Sequence, residues 1–379
     1  MTEPTVADLR RWRRDLHQIP ETDFDLPETI AYVEHELAEV IDTLHDNGQK
    51  AQILKPCKSA LCLFVDRGSE HATALRSDMD ALPVAEETDL PFASKHTGRM
   101  HACGHDGHMA MLIGLAHHVA EHADELPRSV LLVFEPAEET TGGAKNIVQS
   151  KIFDDLHVDR IFGFHLWPDL PKGMLASRPG ALLAASHETT VTFIGKASHI
   201  AKSEQGCDAL ASAAMFYNDC AAYLNRCATQ EPCLLKFGHM QAGEVRNQIA
   251  GRAVLEGSLR TFSNETDGRI RQQVPAIAEN VAQIQGCTQE TYFNEGYPPV
   301  LNDPALFKQT KTALGDELHT IDKPLLISDD FAWYQKVLPG VFLLLGTGTH
   351  IPLHSSTFNF DEEILLVGLH TYEKLIRIP

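Results

Sequence analysis

Residues 129–140 read SVLLVFEPAEET. The run 129–134 is apolar almost throughout, as expected of a strand covered on both faces; a strand with one wet face would alternate. Behind the turn at Pro136 it delivers two adjacent carboxylates, Glu138 and Glu139.

Working outward, residues 7–16 and 28–44 have helical periodicity, and short apolar runs at 60–65 and 72–77 read as strands. The second ends in DMDALP, with Asp78 and Asp80. Residues 108–122 read as a helix, and 160–164 as a strand leading to His165. Strands alternating with helices predict an α/β sheet with helices on both sides. Ligands of such sheets collect at the carboxyl ends of strands, where Asp78 and Asp80, Glu138 and Glu139, and His165 all fall.

After Gly180 the pattern changes. Strands at 187–194, 233–238, 253–260 and 288–293 and helices at 208–225 and 267–285 follow in the order β-α-β-β-α-β, the split unit of a ferredoxin-like domain. GYPP at 296–299 reads as a linker back. Beyond it come a helix (304–314), a strand (341–345), a glycine-rich exit to His354 and a last helix (362–376). We expect a main domain formed by 1–183 and 298–379, with a smaller domain inserted at 184–297.

One segment concentrates metal donors. Residues 100–110, MHACGHDGHMA, hold Cys103, His101, His105, Asp106 and His108 among glycines that loosen the backbone. Several imidazoles and a thiol in one loop point to ligands, with Cys103 and His105 the candidates. An isolated acidic pair is as a rule a solvated helix start. After a buried strand and beside other donors, Glu138 and Glu139 read instead as one ligand and one base that keeps its lone pair for a proton. Asp80 suits a supporting role to a ligand imidazole. For His165 and His354 the competing reading is a histidine satisfied by backbone.

His199, in GKASHIAK, taken alone is a solvated loop histidine. Asn247 and Arg260 suit a substrate carboxylate, Arg by its fork, but each is weak alone. His101 and His108 read as packing or partners of the ligands, and Asp106 as a hydrogen-bond partner or helix cap. His17, His35, His45, His71, His117, His118 and His122 have no such company and read as surface or core residues.

Composition narrows the function classes. The formal charge of −20 over 379 residues argues against a nucleic-acid partner, which needs clustered Lys and Arg. No apolar run approaches the roughly 20 residues that span a bilayer, and the first residues lack a signal peptide's apolar core, so we expect no membrane partner and a cytoplasmic location. The 8 cysteines form no CxxC pair, and reduced thiols are expected. Neither a GxSxG elbow nor a Walker A motif occurs.

RSDMDALP, MHACGHDGHMAMLIGLA, FEPAEET with GGA, GFHLWPDLPKG, LRTF and LGTGTHIPLHSSTF together resemble the amidohydrolase branch of the dinuclear-metal aminoacylase/carboxypeptidase family, in order and over nearly the whole chain. This branch includes hippurate hydrolases, N-acyl-amino-acid hydrolases, indoleacetyl-amino-acid hydrolases and N-acetyldiaminopimelate deacetylases. The resemblance implies a catalytic α/β domain of exopeptidase type with an inserted ferredoxin-like α+β lid that commonly makes a homodimer. It implies two divalent ions, zinc or manganese first and cobalt or nickel as alternatives, held by Cys103, His105, Glu139, His165 and His354. It gives Glu138 the role of base, Asp80 the supporting aspartate, and His199 the lid histidine that polarises the scissile carbonyl. Where some relatives carry a ligand His, this chain has Asp78, and Cys103 belongs to the compensating pattern. Departures at Lys202 and Ser203, at Ile249-Ala250-Gly251 and at Asp329-Asp330-Phe331 bear on substrate fit and lid geometry.

The expected activity is cleavage of the amide of an N-acyl-amino acid, with Asn247 and Arg260 holding its carboxylate. The rivals are a carboxypeptidase or dipeptidase with the same site, an N-acetyldiaminopimelate deacetylase, and a two-domain binding protein without catalysis.

Overall fold

The computed structural model describes residues 3–379. Helix α1 (Val6–His17) opens with a capping box: the Thr5 side chain accepts from the Asp8 N–H while Asp8 accepts from the Thr5 backbone. Helix α2 (Pro27–Asp46) starts on a proline, whose missing N–H costs nothing there. Strands β1 (Lys50–Leu54), β2 (Leu61–Asp66) and β3 (Ala72–Asp78) precede helix α3 (His105–His122). Then come β4 (Ser129–Glu135), α4 (Gly143–Gln149), β5 (Val158–Trp167) and β6 (Leu175–Ser177).

The next segment carries β7 (Ala185–Ile194), α5 (Ala209–Ala228), β8 (Cys233–Ala242), β9 (Arg252–Thr261), α6 (Asn264–Gln285) and β10 (Thr288–Phe293). The chain finishes with α7 (Pro304–Leu314), β11 (Leu318–Thr320), β12 (Gly340–Gly346) and α8 (Ile364–Leu375).

The chain divides into two compact units. One takes the chain up to Gly180, Leu301–Lys323 and Asp330–Pro379; the other takes Ala181–Val300 and Pro324–Asp329. No sequence pattern announced that Pro324–Asp329 belongs with the insert.

The first unit holds an eight-stranded mixed sheet in the order β1-β2-β4-β3-β5-β12-β6-β11. Its centre is parallel, with β3 between β4 and β5 and β12 beyond β5. Strands β3, β4 and β12 are buried at every residue, which is why β4 and β12 read as near-continuous apolar runs. Helix α3 packs against α1, α2 and α8. It is buried all round from His105 to Ala120, so it lacks the one-sided apolar stripe of a surface helix.

The second unit is a four-stranded antiparallel sheet in the order β10-β7-β9-β8. Its core sets Val191, Phe193 and Leu255 from the sheet against Phe216 of α5 and Ile270 and Val274 of α6. Asp208 caps α5 by accepting from the N–H groups of Leu210 and Ala211, at 3.0 and 3.1 Å.

Candidate metal centre

The carboxyl ends of adjacent strands place most of the candidate residues. Asp78 ends β3, and Glu135 ends β4. Beyond Glu135 the chain turns at Ala137, which takes a left-handed φ of 60°, and presents Glu138 and Glu139. His165 lies near the end of β5. Cys103 sits in the loop before α3, and His105 is the first residue of that helix. Gly104 between them has φ 87°, where any side chain is strained, and a Cβ there would also press on Leu166 Cδ1 at 2.9 Å. That turn also starts α3 three residues earlier than periodicity suggested. His354 arrives from the loop after β12, also left-handed at φ 67°, and its N–H donates to the Ala102 carbonyl at 2.9 Å. Two non-glycine residues in this rare conformation, each at a candidate residue or beside one, mark a backbone over-determined by its surroundings.

The side chains of all five donors meet. Cys103 Sγ is 3.3 Å from His165 Nε2 and 3.5 Å from His354 Nε2. His354 Nε2 is 3.3 Å from Glu139 Oε2. His105 Nε2 stands 3.8 Å from Glu139 Oε1, 4.0 Å from Glu138 Oε2 and 3.7 Å from Asp78 Oδ2. Two triads, Cys103–His105–His165 and Cys103–Glu139–His354, share the thiol, and in each the donor atoms lie within 4.8 Å of one another.

Hydrogen bonds set the tautomers. His105 Nδ1 lies 2.8 Å from the Asp80 carbonyl, and His165 Nδ1 lies 2.7 Å from the Leu166 carbonyl. A carbonyl only accepts, so each Nδ1 carries the proton and each Nε2 turns a lone pair into the gap, the arrangement of ligating imidazoles. Burial lowers the pKa of both rings, that of His165 to about 3. Burial, with Glu139 and Glu138 nearby, pushes the Cys103 thiol well above its usual value. Glu139 is held low despite burial, because His354 and His105 face it.

The donors fit divalent ions. His105 Nε2 and Glu139 Oε1 are buried and have no hydrogen-bond partner, although they point into the same space. Orphaned buried acceptors are costly, and a cation between them removes that cost. A thiol, imidazoles and carboxylates together suit a borderline ion such as zinc, and a bound ion would draw the proton off Cys103.

Asp80 and Asp78 brace this centre. The Asp80 carboxylate accepts from the Glu138 N–H at 2.9 Å and the Glu139 N–H at 3.2 Å, so it fixes the acidic pair through its backbone. Asp78 Oδ1 meets His108 Nδ1 at 2.6 Å, while His108 Nε2 accepts from the Leu166 N–H at 3.0 Å. Burial would raise Asp78, but His105, His108 and Arg76 hold it well below the carboxylate range.

The sequence reading missed Arg76, which is wholly buried in β3. Its guanidinium bonds Glu135 at 2.6 Å, Asp78 at 2.6 Å and Asp330 at 2.9 Å. An arginine inside an apolar strand was the available sign, since such a charge needs carboxylate partners. His17 also differs from expectation. It is no isolated core histidine, because it joins Asp106 at 2.8 Å to Glu86 at 3.2 Å, and Arg13 donates to the same Asp106 at 3.1 Å.

His199, Asn247 and Arg260 lie in the second unit. His199 is exposed, and its Nδ1 accepts from the Ala201 N–H at 3.1 Å, which leaves Nε2 as a donor. The Asn247 carbonyl accepts from the Ile200 N–H at 2.9 Å, so these two residues share one loop pair. Arg260 on β9 is half-buried and donates to the Leu259 carbonyl at 3.3 Å and to the Ser186 hydroxyl.

The mixed α/β sheet, the antiparallel insert and the donor cluster at the strand ends are those of a metal-dependent hydrolase. The chain belongs to peptidase family M20/M25/M40, whose profile matches residues 74–378. It is 36% identical over 371 residues to an N-acetyldiaminopimelate deacetylase of Lacticaseibacillus casei, covering 96% of this chain and 95% of that one. A hydrolase of Staphylococcus epidermidis is 34% identical over 388 residues, with 96% of each chain covered. The crystal structure of the Bacillus subtilis YXEP protein, a dinuclear metal-binding peptidase of the M20 family, superposes with a TM-score of 0.83 at 29% identity and covers 98% of each chain.

Proposed function

We propose that this hydrolase cleaves the amide bond of N-acyl-amino acids, with Cys103, His105, Glu139, His165 and His354 holding two divalent ions and Glu138 acting as general base. The observation that carries the reading is the pair of orphaned buried acceptors, His105 Nε2 and Glu139 Oε1, facing one space beside Glu138. When bound, the ions lower the pKa of a water and polarise the substrate carbonyl. The Glu138 carboxylate takes the water's proton as its oxygen bonds the acyl carbon. It then returns that proton to the nitrogen as the C–N bond breaks, giving a carboxylic acid and a free amine. Asp80 keeps Glu138 in register through the backbone. His199 donates from Nε2 to the oxyanion, and Asn247 and Arg260 receive the substrate carboxylate. The inserted domain serves as lid and as the dimer contact, and the enzyme works in the cytoplasm; no helix among the described residues is long and apolar enough to cross a membrane.

The Lacticaseibacillus relative favours a second, narrower reading, deacetylation of N-acetyldiaminopimelate. One assay separates these readings. The chain is reconstituted with zinc, manganese, cobalt or nickel and offered N-acetyl- and N-benzoyl-amino acids, N-acetyldiaminopimelate and dipeptides. Turnover of simple N-acyl-amino acids supports the first reading. Turnover of the diaminopimelate derivative alone supports the second, and turnover of dipeptides alone refutes both. Glu138→Gln should keep its metal and lose about 10²–10⁴ in rate; full activity in that variant sinks the base assignment.

A further inference from the structure

A second group of metal-ligating side chains lies at the other end of α3. His118 and His122 are four residues apart on one face of the helix, with their rings stacked at 4.5 Å between centroids. They stand about 20 and about 26 Å along the helix axis from His105, at 1.5 Å per residue. Both turn to one carboxylate: His118 Nδ1 is 3.1 Å from Glu3 Oε2, and His122 Nε2 meets Glu3 Oε1. Glu373 of α8 comes within 3.6 Å of His118 Nδ1, and Glu125, just past α3, lies 3.2 Å from His122 Nδ1. The donor atoms of Glu3, His118 and His122 fall within 4.8 Å of one another.

Hydrogen bonding alone leaves this group unbalanced. Glu3 and Glu125 flank both ring nitrogens of His122. His118 turns Nδ1 to Glu3 and Glu373, while its Nε2 is buried with no hydrogen-bond partner. Three carboxylates thus crowd two imidazoles, with Arg377 reaching Glu125 at 3.0 Å. The protein's formal charge of −20 favours cations over the molecule as a whole. Two imidazoles on successive turns of a helix plus a carboxylate form a chelating set for a borderline divalent ion.

We propose that Glu3, His118 and His122, with Glu373 beside them, bind a divalent transition-metal ion such as Zn²⁺ at a site separate from the catalytic centre. The ion clips the segment ahead of α1 to the ends of α3 and α8. It is a structural site, since its ligands touch none of the candidate catalytic residues.

The test uses the full chain and Zn²⁺ alone, by equilibrium dialysis followed by elemental analysis. Wild type should retain about one ion per chain more than either His122→Ala or Glu3→Gln. The difference counts whatever the catalytic centre holds, so the inference stands or falls apart from the proposed function. Both variants change residues with solvent access at the end of a long helix and in the segment before α1, and both should keep the wild-type fold by circular dichroism. Their metal-loaded activity should stay within about two-fold of wild type. Equal zinc content in the three proteins overturns the site. A loss of turnover matching the loss of zinc overturns its separateness.

Discussion

Arg76→Met tests how the centre is braced. The arginine is wholly buried, with three carboxylates within 2.9 Å of its nitrogens. A hydrogen bond to a charged group contributes about 1.5–3 kcal/mol, so three bonds sum to roughly 4.5–9 kcal/mol if they were independent. They are not, because Asp78, Glu135 and Asp330 share one guanidinium, and an abandoned carboxylate can take up a proton. Removing one partner from a buried ion network costs about 3–5 kcal/mol in practice, and we expect a loss in that range. Asp330 also accepts from the Ala144 N–H at 3.0 Å, and Tyr334 donates to Glu135 at 2.7 Å, so neither acid can simply swing away to water. Urea unfolding followed by circular dichroism reads the loss as a lower midpoint at unchanged slope. Adding Asp330→Asn to Arg76→Met removes one of the stranded charges and should restore about 1–2 kcal/mol, a coupling that distant sites would not show. A single-variant loss below about 1 kcal/mol, or strict additivity in the pair, would refute the reasoning.

Two further outcomes are expected. Cys103→Ala, which removes the donor common to both triads, should lower the metal content of the purified protein, and wild type should lose metal and activity together on peroxide treatment; unchanged metal by elemental analysis contradicts the ligand role. In the second unit, burial would raise the pKa of Asp267, but His187 Nε2 at 3.2 Å and Arg271 at 3.5 Å hold it below the carboxylate value. Its contribution to stability is therefore complete above about pH 5 and lost as pH falls through the lowered value, below about pH 4. Asp267→Asn should flatten that acid limb in a denaturation series, and an identical limb in both proteins counts against the pairing.

Much of this architecture is written locally. The run 129–134 reads as a doubly covered strand, and the β-α-β-β-α-β order of the insert follows from periodicity within short windows. The donors at strand ends were legible because a parallel sheet collects its polar residues there, and the structure does bring Cys103, His105, Glu139, His165 and His354 together. What stayed hidden depends on pairing at long range. Arg76 finds Asp330, 254 positions away, and neither residue announces the other. Strand β11 has only 3 residues and β1 runs KAQIL, too short and too polar for periodicity to mark. His118 and His122 looked solitary because, Glu125 apart, their carboxylates come from Glu3 and Glu373, near opposite ends of the sequence.

The tether between the His354 N–H and the Ala102 carbonyl has a bearing on synthesis. Cys103, His105, Glu139 and His165 leave the ribosome before the inserted domain begins, whereas His354 follows only after that domain and β12 have been made. Until then the nascent chain holds an open pocket with a thiol, two imidazoles and a carboxylate, able to catch an ion loosely but not to enclose it. On the ligand set proposed above, enclosure of an ion waits until His354 has been made, and a translation product arrested within the insert should exchange its metal freely.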